Sequence, residues 1–573
     1  MRRPAALAAL SACLVLPARQ APDPLAWVPK RAGVVIVLNR PGQALARWDR
    51  LGERLRAKEL ALVRQAVTED FGGLPLLDPE APLVEFMVKP PKGPAKPKPG
   101  KDAAGQAEAK PKDLEFRVLA FKSKEDFAAR FKPADFAKAQ SDLTSVTVGG
   151  KPMLAAVRGR VAILGPKDQG GLLRALVADK ARFPLPAGAE GAWAAGQDLA
   201  VFVAPSTMKG DPGPEAPKAK PGPAFLAPLE RFSKAMREHP ETEIASFVFG
   251  VRLGETGDLT GSLRLGVAPG GELAGMTKNL EQGGGPAFRG LPAAPFAVAF
   301  GMDFPASWGA LMAQAVEEEA KRDPKANAAA VASMAALMRE LRGFSLALRT
   351  PREGEPPASG LGLAFQVASA KAFLARAADL AARPDKDGTP GMKIGSASFR
   401  GLPVTTFTRV PPPPKQPAEG EQPSRVPPPE MLFGTKDVRT AMLQADDHTV
   451  IAGFGEADAT FQAGLDSLAR GGLGQLARVQ TTRALLASSQ GGLGQGVLYL
   501  SLPELIQMVG AFLPLPVSEE DLKAQIPPLG LALRLGSDRL ELNLAVPADS
   551  LGLIGKLAGA AAQMGKKAKP EEM

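Results

Sequence analysis

One pattern recurs four times along the chain and constrains its fold more than any other feature. Each copy opens on a short run rich in β-branched or aromatic residues, of the length expected for a strand; the runs are 34–39, 199–204, 296–301 and 497–501. Three of these runs lead to a capping residue two positions before a proline, namely Asn39 before Pro41, Asp303 before Pro305 and Ser501 before Pro503. Because an N-cap followed by an early-turn proline opens a helix, the pattern predicts a strand that leads into a helix.

Two further strands and a second helix are predicted after each of these helices. The strand pairs are 83–88 with 114–121, 246–254 with 260–267, 343–349 with 361–367, and 529–535 with 539–545. The second helices of the first and third copies begin at Ser123 and Ser369, and a Phe and an Arg follow both serines at the same spacing. The unit is therefore β-α-β-β-α, which predicts an α+β fold with mainly antiparallel sheets.

The four modules group into two similar halves, 25–283 and 284–565. A hairpin at 149–165 and a helix near 168–180 follow the first module, and a comparable hairpin and helix follow the third, within 400–469. Recurrence in a constant order is the mark of internal duplication. With 573 residues, the chain is long enough to bury more than one sizeable core.

Segments rich in Pro, Lys, Gly and Ala interrupt this plan at its joints. They are 89–113, 205–225, 351–359 and 411–431. Such composition cannot bury enough apolar surface to fold, so we expect disordered loops, three of which connect strands that still pair, and a disordered tail at 566–573. The four prolines at 411–414 are also compatible with a polyproline ligand, although a solvated spacer explains them without a partner.

The N-terminus is predicted to be a secretory signal peptide that covers residues 1–21. Arg2 and Arg3 precede an apolar run at 5–16, which is too short to span a bilayer as a finished helix. We therefore expect the protein to be exported, to the periplasm, the cell envelope or the extracellular space.

Two outcomes for this signal stay open. Small residues at Ala18 and Ala21 permit ordinary cleavage, whereas residues 10–13 (LSAC) resemble the lipobox of bacterial lipoproteins. In the second case Cys13 would be acylated and would tether the protein to a membrane. Since Cys13 is the only cysteine, the folded part contains no disulfide in either case, and the intact mass of the mature chain distinguishes the two.

The net charge of +10 does not indicate a nucleic-acid partner. Much of the positive charge lies in the termini and in insertions such as 89–113, which holds seven Lys and three acidic residues. Nucleic-acid binding uses basic faces interleaved with aromatic residues, and the chain has one Tyr and four Trp. The expected partner is an unidentified envelope protein, or an anionic envelope polymer that contacts the lysine-rich loops.

Residues that could carry chemistry are sparse. The chain has two histidines, so a zinc site built on His or Cys ligands is not expected. His239, before Pro240, is expected at the C-terminal end of a helix, where it would face the helix dipole and not a metal. His448 follows Asp446 and Asp447, a group that could act as a general base or as a metal corner. The alternative is a tight turn, which favours Asp for backbone reasons and which agrees with the basic turn at the equivalent place in the first half.

The remaining polar motifs also have structural interpretations. The glycine-rich GGLGQ segments at 471–475 and 491–495 lack the Lys-Ser/Thr pair of a phosphate loop. The acids at 317–319 are consecutive and therefore spread around a helix surface, and Ser518 with Asp521 resembles a capping box. No G-x-S-x-G motif occurs. The sequence therefore predicts no catalytic, cofactor-binding or metal-binding residue, and Cys13 is the only candidate for modification.

Three short phrases resemble those of uncharacterised exported bacterial proteins that are classed as domains of unknown function. They are the LP before the strand within 291–300, the G-x-P-V of 401–404 and the DDHTVIAG of 446–453. The resemblance implies no catalytic residue. We expect a non-enzymatic envelope protein that binds or scaffolds through its sheets; the alternatives are a periplasmic carrier of a hydrophobic ligand and a hydrolase with a carboxylate site.

Overall fold

The structure, a computed structural model, describes most of the chain from residue 23 onward. The described residues are 23–55, 77–90, 113–123, 125, 142–148, 151–186, 188–208, 238–278, 288–322, 327–350, 355, 360–384, 391–409, 438–455, 457–488, 494–510, 517–523 and 525–567. The predicted signal peptide with Cys13, most of the insertions at 89–113 and 205–225, all of 411–431 and most of the tail at 566–573 lie outside these residues.

The described residues form thirteen helices and nineteen antiparallel strands, which confirms the α+β class. The strands are β1 Val34–Leu38, β2 Leu83–Val88, β3 Leu114–Ala120, β4 Thr144–Val148, β5 Lys151–Arg158, β6 Val161–Pro166, β7 Leu199–Val203, β8 Ile244–Leu253, β9 Leu259–Val267, β10 Val298–Asp303, β11 Leu341–Leu348, β12 Leu361–Val367, β13 Lys393–Phe399, β14 Leu402–Arg409, β15 Val438–Gln444, β16 Thr449–Phe454, β17 Gly496–Leu500, β18 Leu529–Leu535 and β19 Arg539–Val546.

The helices alternate with these strands along the chain. They are α1 Pro41–Leu55, α2 Gly170–Ala178, α3 Gly188–Ala195, α4 Pro240–Glu243, α5 Glu272–Thr277, α6 Ala306–Arg322, α7 Ala328–Glu340, α8 Ala370–Ala381, α9 Asp458–Arg470, α10 Ala477–Ala487, α11 Leu502–Gly510, α12 Glu519–Lys523 and α13 Ala548–Lys567. Among the described residues, no helix is both long and apolar enough to span a membrane.

The chain divides by its internal contacts into two compact units. The first comprises residues 1–53 and 57–207, and the second comprises 54–56 and 208–573. Strands β1 to β7 pair in the first unit in the order β7-β1-β2-β3-β6-β5-β4. One face of this sheet carries an aromatic pair in its core. Phe86 and Phe116 are fully buried, and their ring centroids are 5.4 Å apart.

Strands β8 to β19 pair in the second unit. Their order is β8-β9-β19-β18-β17-β10-β11-β12-β16-β15-β14-β13. One face of the sheet packs on α10 and on the segment 288–296, with Phe296, Val479 and Tyr499 in the resulting core. The pairing of β9 with β19 joins strands that were predicted in different halves of the chain.

The insertions lie between the strands that the sequence predicts on either side of them. Strands β2 and β3 pair across the insertion at 89–113, β11 and β12 across 351–359, and β14 and β15 across 411–431. The prediction that these flanking strands pair is confirmed. Two neighbouring antiparallel strands tolerate a long connection, since the entropic cost of closing a loop grows only slowly with its length.

The helix-opening residues behave in different ways. Ser369 accepts a hydrogen bond from the backbone N–H of Ala372 and caps α8, as predicted. Asn39 does not cap α1: its side-chain amide donates at 3.0 Å to the carbonyl oxygens of both Ala194 and Gln197. The prediction of an Asn39 cap was wrong, because the carbonyl of Arg40, one residue later, accepts from the N–H groups of Gln43 and Ala44 and opens the helix.

Candidate apolar binding site

Strand β19 has its polar residues inside and its leucines outside. Glu541 and Asn543 are each 1% exposed, whereas Leu542 and Leu544 are 37% and 39% exposed. An antiparallel sheet with one solvated face normally shows the opposite alternation. A shift of one residue would exchange the two faces of the strand, so the pairing of β19 with both neighbours holds these leucines outward against the usual preference.

The outward leucines belong to a line of apolar residues that crosses nine strands. Residues paired directly across the sheet form this line, here called the apolar row: Val251, Gly261, Leu544, Leu531, Leu498, Phe300, Leu346, Leu363 and Ala452. No member carries a polar side chain. At a strand spacing of about 4.8 Å, eight intervals give the row a length of roughly 38 Å.

The adjacent line of cross-strand pairs is also apolar. It includes Phe249, Leu263 and Leu542, which are paired in that order on β8, β9 and β19. Phe249 is 38% exposed, so it forms with Leu542 and Leu544 a patch of three of the most exposed large apolar side chains among the described residues. Contiguous exposed apolar surface is a common feature of binding sites, so this patch is a candidate site.

Packed clusters border the apolar row on both sides. Beside β12 and β16, Phe365 and Val450 pack with Phe373 of α8. Beside β8, β9 and β19, Phe247 and Leu540 pack with Leu273 of α5. Most members of the row itself are half-buried, so the row forms a partly sheltered apolar strip between two pieces of core.

The opposite face of β9, β18 and β19 carries a buried cluster of charges. Glu541 Oε1 lies 3.5 Å from Arg264 Nε and 3.7 Å from Arg539 Nη1, and its Oε2 lies 3.8 Å from Arg534 Nη1. Next to it, Ser262 Oγ donates a 2.6 Å hydrogen bond to Asn543 Oδ1. These ionic and polar contacts require the inverted alternation, since a slip of β19 by one residue would move Glu541 and Asn543 away from their partners.

Tyr499 lies on the face of the sheet that packs against α10. It is 1% exposed, and its ring centroid is 5.6 Å from that of Phe288. Burial raises the pKa of its phenol from 10.0 to about 12, and only the positive charge of Arg483 opposes this shift. A neutral phenol is cheaper to bury than a phenolate, so Tyr499 reports on the integrity of this core.

This shift predicts how the protein behaves in alkali. The folded-state pKa of Tyr499 is raised, so its contribution to stability is complete below about pH 10 and is lost as the pH rises toward about 12. Because Tyr499 is the only tyrosine, the ultraviolet absorbance of phenolate measures it alone. We expect a titration midpoint near pH 12 for folded protein and near pH 10 in urea. A native midpoint near pH 10 would show that the phenol is solvated, and Tyr499→Phe serves as the blank.

The acidic turn with His448 is held by one hydrogen bond within the turn and by contacts with the start of α8. Asp446 Oδ1 accepts from the N–H of His448 at 2.7 Å, and the carbonyl of Asp447 accepts from the N–H of Ala370 at 2.8 Å. The Nδ1 of His448 lies 2.9 Å from the carbonyl oxygen of Ala368. All three side chains of the turn are exposed, so this geometry positions a helix end.

The other polar motifs also occupy structural positions. Ser518 Oγ accepts from the N–H of Asp521 at 3.2 Å, as predicted for a cap of α12. Glu317 forms an exposed 2.6 Å ion pair with Arg339. His239 occupies the N-cap position of α4 without a side-chain hydrogen bond. No group of three His, Cys, Asp or Glu side chains that could hold a metal ion occurs among the described residues.

No protein-family model, curated protein or solved structure matches the chain. The site therefore has to be judged from its own geometry. The sequence contained one signal for it, since runs such as 497–501 are apolar at consecutive positions and thus on both faces of a strand. Burial beneath helices on both faces explains such runs equally well, and only the exposures of Phe249, Leu542 and Leu544 distinguish the two explanations.

Proposed function

We propose that this is an exported, non-enzymatic envelope protein that binds an apolar molecule of the acyl-chain type along the apolar row. The observation that supports this proposal most directly is the inverted alternation of β19, which presents Leu544 outward in the apolar row and Leu542 outward in the adjacent line. The predicted signal at 1–21 supports export. Binding of an apolar ligand would remove this surface from water and repay the cost of its exposure.

The shape of the row supports an extended ligand. A strip of roughly 38 Å with no charged member matches an extended hydrocarbon chain better than a compact polar metabolite. Each methylene removed from water contributes about 0.8 kcal/mol, so a chain that contacts only part of the row already gains substantial affinity.

The proposal includes the internal duplication into four β-α-β-β-α modules. It is supported by the shared order of equivalent strands, since β7-β1-β2-β3-β6 in the first unit corresponds to β17-β10-β11-β12-β16 in the second. At the positions equivalent to Leu346 and Leu363, the first unit has Glu85 and Arg117, which form a 3.3 Å ion pair. We therefore assign the apolar ligand to the second unit.

A double substitution of Leu542 and Leu544 by glutamine tests the proposed function. We expect the full-length protein to bind the uncharged fluorescent probe N-phenyl-1-naphthylamine, and we expect the double variant to bind it at least about tenfold more weakly, since burying one leucine is worth about 1.5–3 kcal/mol. The matched control is Ile554→Gln in α13, because Ile554 is equally exposed, at 38%, and lies outside the row.

Three outcomes decide this test. Loss of probe fluorescence in the double variant with an unchanged control supports the apolar row as the site. Equal losses in variant and control would mean unspecific adsorption of the probe, and wild-type protein that does not bind the probe would contradict the proposal outright. Circular dichroism of each variant establishes that the comparison is made between folded proteins.

A further inference from the structure

A cavity of about 570 Å³ lies where β13, β14 and β15 meet the start of α9. All of its lining residues are in the second unit, and they include the apolar side chains of Phe399, Val404, Ala441 and Phe461. Its volume lies within the usual range of small-molecule sites, about 300–1,000 Å³. None of its lining residues belongs to the apolar row.

The first turn of α9 faces this cavity without a side-chain cap. The N-cap residue is Ala457, which cannot accept a hydrogen bond through its side chain. The backbone N–H groups of a first turn have no partner within the helix, and they carry the positive end of the dipole of this 13-residue helix. Ala457, Asp458 and Ala459 all line the cavity.

Two side chains add hydrogen-bond donors from the sheet side. Arg439 of β15 is exposed, lines the cavity and forms no ion pair with any carboxylate in the described part of the chain. Thr406 of β14 also lines it; this residue is only 9% exposed, and its hydroxyl makes no hydrogen bond within the described residues. The hydroxyl itself is open to the cavity, since it does not belong to the fully buried polar atoms without a partner among the described residues. It can therefore donate a hydrogen bond to a ligand there.

We infer that this cavity binds the carboxylate end of a small apolar acid, such as a medium-chain fatty acid. Arg439, the hydroxyl of Thr406 and the N–H groups at the start of α9 bind the carboxylate, and the hydrocarbon packs on Phe399, the less buried of the two aromatic rings of the cavity. This site is separate from the apolar row and requires a ligand with an anionic end, which the row does not.

One lining residue opposes the ligand. Asp458 is the carboxylate among the cavity residues, and it occupies the first position of α9. Its negative charge competes with the ligand for the helix start and for Arg439. Neutralising Asp458 should therefore strengthen binding, which is the opposite of what a general loss of structure would do.

Isothermal titration of dodecanoate against the full chain tests this inference, with Leu542→Gln and Leu544→Gln present throughout so that the apolar row does not contribute. In this background we expect Arg439→Gln to weaken dodecanoate binding about tenfold and Asp458→Asn to strengthen it about threefold. Thr406→Val, which keeps the shape of the side chain, should also weaken it. The control is Arg470→Gln, at the opposite end of α9, where Arg470 pairs with Asp466 at 3.1 Å.

Dodecanol, which lacks the charge, separates recognition of the carboxylate from contact with the chain. Its affinity should be the same in Arg439→Gln as in the background. The inference is overturned if dodecanoate does not bind, if Arg439→Gln leaves its affinity unchanged, or if Asp458→Asn weakens it. Because the apolar row is disabled in every sample, a negative result here is distinct from failure of the proposed function.

Discussion

Replacement of Glu541 by leucine is expected to lower the free energy of unfolding of the second unit by about 3–5 kcal/mol. Glu541 is 1% exposed and is the carboxylate shared by Arg264, Arg534 and Arg539. Removing one partner of a buried ion pair costs more than the pair itself contributes, because the remaining charge keeps its desolvation cost. Of the three arginines, Arg264 is the most buried, with a side chain that is 3% exposed, so it keeps the largest desolvation cost when Glu541 is removed.

The measurement is chemical denaturation combined with hydrogen exchange of the amides in β9 and β19. The exchange data localise the loss, since the two units need not unfold in one step. The matched control is Asp538→Asn in the same hairpin, where Asp538 is 64% exposed and pairs with Arg539 at 3.2 Å. An exposed pair of this kind contributes about 0–1 kcal/mol. Similar losses in both variants would show that the burial of Glu541 has no energetic consequence.

The second large effect is expected in the first unit, from Phe86→Ala. Phe86 is fully buried and stacks on Phe116 with an interplanar angle of 14°. Truncation of a buried aromatic residue to alanine typically costs about 3–5 kcal/mol, because the lost transfer energy is joined by a cavity that the surroundings fill only in part. We expect faster hydrogen exchange in β2 and β3 and an earlier unfolding transition of this unit.

Phe86→Leu is the control for this prediction. It keeps most of the side-chain volume, so it should lose clearly less stability than the alanine variant. If alanine and leucine destabilise the unit equally, the loss comes from the specific aromatic contact rather than from the cavity. If neither changes the exchange of β2 and β3, Phe86 does not belong to the core of this sheet.

The local elements could be predicted from the sequence because their causes are local. Ser369 caps its helix because it lies three residues before the N–H group that it accepts from. Strands β11 and β12 each show as a short apolar run in the sequence, and they pair across an insertion. The strand β13 was not predicted. Apart from Ile394 and Phe399 it consists of small and polar residues, and most of them are exposed. No regular apolar alternation marks it in the sequence, and it exists through its pairing with β14.

Contacts between distant residues could not be predicted in this way. Ser262 and Asn543 are 281 residues apart in sequence, and nothing near either of them specifies the partner. Asn39 illustrates the same limit, since its local position favours a helix cap and two remote carbonyls bind it instead. The charges around Glu541 likewise appear in the sequence as ordinary polar positions of strands.

The sequence by itself determined the α+β class, the alternation of strands with helices and the places where insertions are tolerated, because these depend on the periodicity and capping of neighbouring residues. Only the tertiary structure decided which face of β19 points outward, since that choice depends on its register with β9 and β18. The register of a strand depends on which of its two faces is more favourable to bury, since a shift of one residue exchanges them. Here the pairing of Glu541 and Asn543 on one face accompanies the exposure of Leu542 and Leu544 on the other, and that exposure creates the apolar site.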